Sequence, residues 1–391
     1  MTESANPKNI DYSFIRGGLL HHLFTKVGLA QPGLAGVRLR AGWVILLTYI
    51  TTLVLALIQG VAWDPTLRLP FLFDIAETCR YLLVGPLLIV SEAIVEPWLV
   101  QMVRQTRDRL IQKEELPRFE KLIARSIRWR DSYIVEILLF LSTFGWQWLE
   151  VRVLPQPAAA SWHQLPSSGA PTYAFLWCLY LAKPLVRFLW LRWIWRYLLW
   201  SFLLIRLSSF QLKIAPEYPD RHGGLEFIAI AHGRFAALAL TFAAQVASIF
   251  GEQILFEGRT LASFRYEIIG VVVIVLLTLL TPLLAFTGKL LVAKRIALLD
   301  YGMLADQYTS AFHARWIHGA RGSEQILGTP DIQSLADLDN SYQIVRGMNI
   351  SLISKDIILT FVVATLLPFV PLLLIVYPLD ELIKHLLKAV I

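Results

Sequence analysis

At 391 residues the chain is 56% hydrophobic and only 17% charged, whereas a soluble domain is roughly 45–50% apolar and about 25% charged. The excess lies in long separate blocks, which excludes an ordinary soluble enzyme or a disordered chain. The formal charge of +7 reads as membrane orientation and contact with anionic lipid, not as a nucleic-acid signature.

The first element, residues 1–40, is a basic segment with Lys8, Arg16, Lys26, Arg38 and Arg40. It has no short apolar core followed by a small-residue cleavage site, so no cleaved signal peptide is expected. Apolar runs follow at about 41–62, 71–97, 132–149, 172–195, 234–255, 268–290 and 357–377. Each approaches or exceeds the ~20 residues that cross a bilayer, and in lipid each must be helical to pair its own backbone. Segments 1–40, 98–131, 206–233 and 291–356, counted generously at their boundaries, hold about 25 basic residues, against six on the alternate side. The positive-inside rule then puts the N-terminus in the cytoplasm and the C-terminus outside. Pro368 and Pro371 mark the last run as a kinked or re-entrant segment, and a re-entrant one would return the C-terminus to the cytoplasm.

The expected fold is all-α: a polytopic bundle of about seven transmembrane helices with a small cytoplasmic helical cap. Residues 41–391 form one bundle, with cytoplasmic helical segments at 98–131, 196–233 and 291–356. Segment 101–130 alternates basic and apolar residues at helical spacing and should break near Pro117. Residues 291–317 read as a long helix, and a second starts at Pro330 behind a Thr329 cap. Cys79 and Cys178 read as buried thiols rather than a disulfide. Trp146, Trp148, Trp193, Trp195 and Trp200 read as interfacial belts.

Ionisable groups inside spans are costly and therefore mark candidate sites. On the second span Asp74, Glu77, Glu92 and Glu96 fall within an arc of about 100°. Glu136 on the third span and Lys183 and Arg187 on the fourth supply further charges. Depth counting sets Glu92, Glu136 and Arg187 level, so they are expected to form one buried cluster. Such a cluster either pins helix packing or lines a cavity for a cation, proton or polar solute.

Two loop strings add candidates. In the stretch from Tyr218 to Leu225, Asp220, Arg221, His222, Gly223 and Gly224 form either a tight surface turn or a weak phosphate cradle. In the stretch from Leu327 to Leu338, Asp331, Gln333 and Asp337 either begin a helix or meet the Asp220 loop in a cytoplasmic site. With the Pro86-to-Glu92 stretch and Arg192, Trp193 and Arg196, these strings resemble a functionally unassigned family of bacterial polytopic inner-membrane proteins. Its members carry PDxxGGL-like and LGTxDIQSLADL-like motifs, and often have His where this chain has Tyr218. The resemblance covers about residues 70–350 and implies a bacterial inner-membrane location, but no chemistry.

No histidine pair has helical metal spacing, and no Walker, GxSxG or HExxH string occurs. The sequence calls for no metal and no cofactor. Its expected partners are membrane lipids and an ion or small polar solute, with no nucleic acid and the oligomeric state open. The leading reading is a channel or carrier. The alternatives are a membrane-embedded enzyme acting on a lipid-linked or phosphorylated substrate at the cytoplasmic face, or a non-catalytic scaffold subunit.

Overall fold

Backbone amides in hydrocarbon have no water to bond, so long apolar runs settle as helices that pair their own groups. The computed structural model describes residues 13, 17–26, 28, 33–153, 161–318 and 330–376. Over these the main elements are α1 (Leu19–Lys26), α2 (Ala35–Ile58), α3 (Ile75–Leu110), α4 (Leu116–Arg130), α5 (Tyr133–Val153) and α6 (Tyr173–Leu207). They continue with α7 (Glu226–Glu257), α8 (Leu261–Leu284), α9 (Thr287–Phe312), α10 (Pro330–Arg346) and α11 (Lys355–Leu374). Among the described residues there is no strand, only isolated bridges.

Six helices, α2, α3, α6, α7, α8 and α11, are long and apolar enough to cross a membrane. This is the build of a multi-pass membrane protein. Helix α5, the expected third span, has 21 residues. Its apolar character is diluted by Glu136, Gln147 and Glu150, and by Trp146 and Trp148.

Local chemistry sets the helix ends. Asp74 caps α3 by accepting from the Glu77 amide at 2.8 Å, and Thr172 caps α6 through the Phe175 amide at 3.0 Å. Ser354 does the same for α11, each cap satisfying an amide that the helix leaves unpaired. Helix α7 ends at Gly258, whose φ of +71° suits a residue without a Cβ.

Helix α3 is central and packs against α2, α6 and α7. Half or more of the crossing stretches of α3 and α7 is buried, against about a fifth for α2 and α8. Besides π turns at Thr106–Leu110 and His313–Ile317, three lie inside the bundle: Leu46–Ile50 in α2, Arg80–Val84 in α3 and Cys178–Ala182 in α6. The latter two lie just before Pro86 and Pro184. A proline lacks its amide hydrogen and crowds the carbonyl four residues back, and the extra residue of a π turn relieves both. The π turn of α2 rests against those of α3 and α6.

On the remaining elements the sequence reading needs small adjustments. Pro117 sits in the first turn of α4, behind a break at residues 111–115. Helix α11 narrows to a tighter turn at Leu367–Phe369 and then resumes, so Pro368 kinks it without reversing it. Thr329 and the tail from 377 onward lie outside the described residues. Both cysteines are free. Trp146 and Trp148 are exposed. Trp193 and Trp200 are instead buried in the core: the former donates to the Leu88 carbonyl at 2.8 Å and the latter to His232 at 3.1 Å.

Candidate functional site

Four carboxylates on α3, Asp74, Glu77, Glu92 and Glu96, are all buried, as the shared helix face requires. They divide into two groups. Glu77 and Glu92 are fifteen residues apart, so about 22 Å separates the groups along the helix.

The first group surrounds Glu77. Its carboxylate pairs with Arg80 at 2.5 Å, one turn along α3, and with Lys183 of α6 at 3.1 Å. Asp74 accepts from the Trp162 indole at 2.9 Å, tying the chain between α5 and α6 down onto the start of α3. Behind Glu77, the Tyr81 hydroxyl and the Cys178 thiol lie 2.7 Å apart, and Cys178 Sγ is 3.9 Å from the Glu77 carboxylate. Arg80 and Cys178 belong to the π turns, so the group sits where the helix ladders are already interrupted.

The second group surrounds Glu92. Arg196 of α6 donates to Glu92 Oε1 at 2.7 Å, Arg40 of α2 donates to Oε2 at 2.6 Å, and Arg192 lies 3.8 Å away. Arg192 also donates to Glu136 of α5 at 3.0 Å. Four helices thus meet at five charges. The N-terminal segment closes over this group: Arg130 donates to the Ser13 carbonyl at 2.5 Å, and Arg192 reaches the Gly17 carbonyl at 3.4 Å. Gly18, with φ of +83°, lies so close that a Cβ there would come within 2.4 Å of Glu136 Oε1.

One expected partner is corrected. Arg187 does not join Glu92 and Glu136; it donates to Gln147 at 2.6 Å and pairs with Glu150, both on α5. Arg187 and Arg192 are five residues apart, which rotates them by about 140° around the helix axis. Matching depth was insufficient because azimuth decides which neighbour a side chain meets.

Between the two groups lies an apolar layer of Val44, Val84, Leu88, Val186 and Leu189. Helices α2 and α3 approach closely at Gly85, where a Cβ would meet Val44 Cγ1 at 3.0 Å. Two layers of paired charges therefore sandwich an apolar one.

Of the sequence alternatives, the Asp220 string takes the tight-turn form and the second string begins a helix at Pro330. The Asp220 carboxylate caps three amides, those of His222 at 2.8 Å, Gly224 at 3.0 Å and Glu226 at 3.2 Å. Its acceptors are spent on holding the turn. Arg221 has φ of +55° and Gly223 +65°. A Cβ on Gly223 would come within 2.5 Å of Ile214 Cγ2, so glycine is needed there. His222 is buried and its Nε2 faces Asn349 Nδ2 at 3.3 Å, while the Arg221 carbonyl accepts from the Asn349 amide at 2.7 Å.

This loop meets the far end of α10, not its start. Asp331 stands about 24 Å along the helix from Gly347. There it accepts from the Trp316 indole at 2.8 Å and pairs with Arg315 at 3.2 Å. Gln333 donates to Asp337 at 2.9 Å on the same exposed face. The expected joint site of Asp220 with Asp331, Gln333 and Asp337 is therefore not assembled. A capping loop and a hairpin tie take its place.

Outside the charge groups, two clefts stand out among the described residues. A groove of about 750 Å³ lies between residues 211–217 and the first half of α9, with Lys289, Glu217 and Asp300 at its rim. A smaller cleft of about 270 Å³ lies between α4 and the end of α6. No three His, Cys, Asp or Glu side chains converge as a metal site among the described residues.

Sequence reasoning passed over Arg40, Arg192 and Arg196 as cluster partners. Arginines near span ends ordinarily reach the interface, so their charge alone gives no sign that they turn inward. The usable signal was Arg192 and Arg196 at i, i+4, set to share one face opposite Glu92. Comparison with protein-family models, with curated proteins and with solved structures gives no match.

Proposed function

We propose that this chain crosses a bacterial inner membrane seven times and acts as a channel or carrier for an ion or small polar solute. The carrier form suits the geometry better. The N-terminus is cytoplasmic, α5 is the seventh crossing, and α4, the loop from 208 to 225, α9 and α10 form a cytoplasmic cap. The charge asymmetry of the connections and the resemblance of the loop motifs support this placement.

One observation carries the functional reading. Two groups of paired charges, around Glu77 and Glu92, are stacked along the central helix α3 and separated by an apolar layer. Charge in a span is expensive and is kept for ion or solute paths. A carrier needs sites whose internal ion pairs can be exchanged for solute contacts, and the π turns at the Glu77 group supply helices already loosened there. Pairing closed on itself describes a resting, occluded arrangement rather than an open pore.

A second reading is favoured by the same completeness of pairing. If the ion pairs only fix helix packing, the chain is a non-catalytic structural subunit. The enzyme reading loses support because Asp220 is committed to backbone capping and Asp331 stands at the opposite end of α10.

The test is protein-dependent flux into liposomes across monovalent cations, divalent cations, protons and small polar solutes, run beside Glu92→Gln. Flux by the wild type that the variant reduces at least ten-fold supports the proposal. Undiminished flux through Glu92→Gln removes Glu92 from the path. Absence of protein-dependent flux across the whole panel passes the assignment to the structural subunit.

A further inference from the structure

The cleft between α4 and the end of α6 belongs to neither charge group. On α4, Arg118, Lys121, Leu122 and Arg125 recur at helical spacing and share one face. Facing them are Phe202, Arg206 and Phe210, where α6 leaves its apolar crossing stretch. Four cations line about 270 Å³ of space, and no carboxylate lines it. Among the described residues the nearest compensation is Glu115, which pairs with Arg118 at 3.1 Å.

The arginines are held by their faces rather than their edges. Arg118 lies 4.6 Å over Phe210, Arg206 lies 5.3 Å over Phe202, and Arg125 lies 4.8 Å over Trp129. Stacking on a ring positions a guanidinium while leaving its N–H edge available for oxyanions. Beside the cleft and along α6 below it the surface is apolar. Leu198 and Ile205 lie on the Phe202 side of α6, and both are exposed along the crossing helix.

We infer that this cleft binds the phosphate headgroup of an anionic phospholipid, with its acyl chains lying along Leu198 and Ile205 of α6. A soluble phosphate would use the cations but not the apolar strip, and a zwitterionic headgroup would bring a positive charge into a positive cleft. The inference concerns lipid contact and stands independently of what the chain transports.

The experiment is native mass spectrometry of the full chain in detergent, titrated with phosphatidylglycerol, with phosphatidylcholine and with inorganic phosphate. Each surface cation contributes about five-fold to anionic-lipid affinity. The variant Lys121→Gln with Arg125→Gln should therefore bind phosphatidylglycerol about 25-fold more weakly. The charge-preserving pair Lys121→Arg with Arg125→Lys should retain binding, as should Arg259→Gln, just after α7, with Arg265→Gln in the first part of α8. Both cleft side chains are exposed. Should the double variant not fold, Arg125→Gln alone should lose about five-fold. Equal affinity for phosphatidylcholine, or undiminished affinity in the cleft variants, overturns the inference. Displacement of the lipid by millimolar inorganic phosphate also overturns it, and assigns the cleft to a soluble anion.

Discussion

Glu92 receives charge from two other helices: Arg40 of α2 and Arg196 of α6 each take one of its oxygens, with Arg192 close behind. Removing one partner of a buried pair leaves the others uncompensated and costs about 3–5 kcal/mol. Glu92→Gln should therefore lower the thermal midpoint followed by tryptophan fluorescence in detergent. Adding Arg196→Gln should restore part of the loss by removing an orphaned cation. A double variant less stable than Glu92→Gln would show that Arg196 is held mainly by other contacts. The carboxylates of this group were legible in the sequence because a helix face is a simple count. Their partners were not, because Arg187 and Arg192 differ in azimuth more than in depth.

At the level of elements, the connection from α5 to α6 shows what periodicity leaves out. In sequence it is only a connection with few basic residues, yet Trp162 is fully buried and bonded to Asp74, and His163 stacks on Trp162 with ring centres 4.3 Å apart. Burial, with the nearby Lys183 ammonium second, holds the His163 imidazole down to about 4. The unfolded chain, with an ordinary value near 6.5, then binds the proton more readily than the native one. His163 therefore favours the folded state above about pH 6.5, and that contribution is lost as pH falls toward 4. The drop in thermal midpoint between pH 7 and pH 4.5 should be larger for the wild type than for His163→Phe. Equal drops would mean that His163 takes up its proton without disturbing the fold. The π turns ahead of Pro86 and Pro184 pack against the π turn of α2, an arrangement that only tertiary contact reveals.

For the whole molecule, length and hydropathy were enough to reveal a multi-pass helical chain, and six helices meet both criteria. The remaining expected crossing, α5, has the length but carries Glu136, Gln147 and Glu150, each engaged by an arginine of α6. Its polar residues are repaid by neighbours that no single-helix measure can see. The loop strings were legible as turns and helix starts, which is what local capping rules encode. Their relative placement was not, since it depends on how α9 and α10 return against the bundle.

The central claim is that the buried charge groups open to water during function rather than serving as fixed struts. Cys178 reports on this directly, for it is fully buried beside Tyr81 and the Glu77 carboxylate. With Cys79→Ser, it becomes the single thiol among the two cysteines of the chain. The measurement is the rate at which a small, charged, membrane-impermeant thiol reagent labels Cys178 in proteoliposomes. The account predicts labelling of the native protein within minutes, as the Glu77 group opens and closes. Labelling only after the protein is unfolded would contradict it, and would leave the ion pairs as packing.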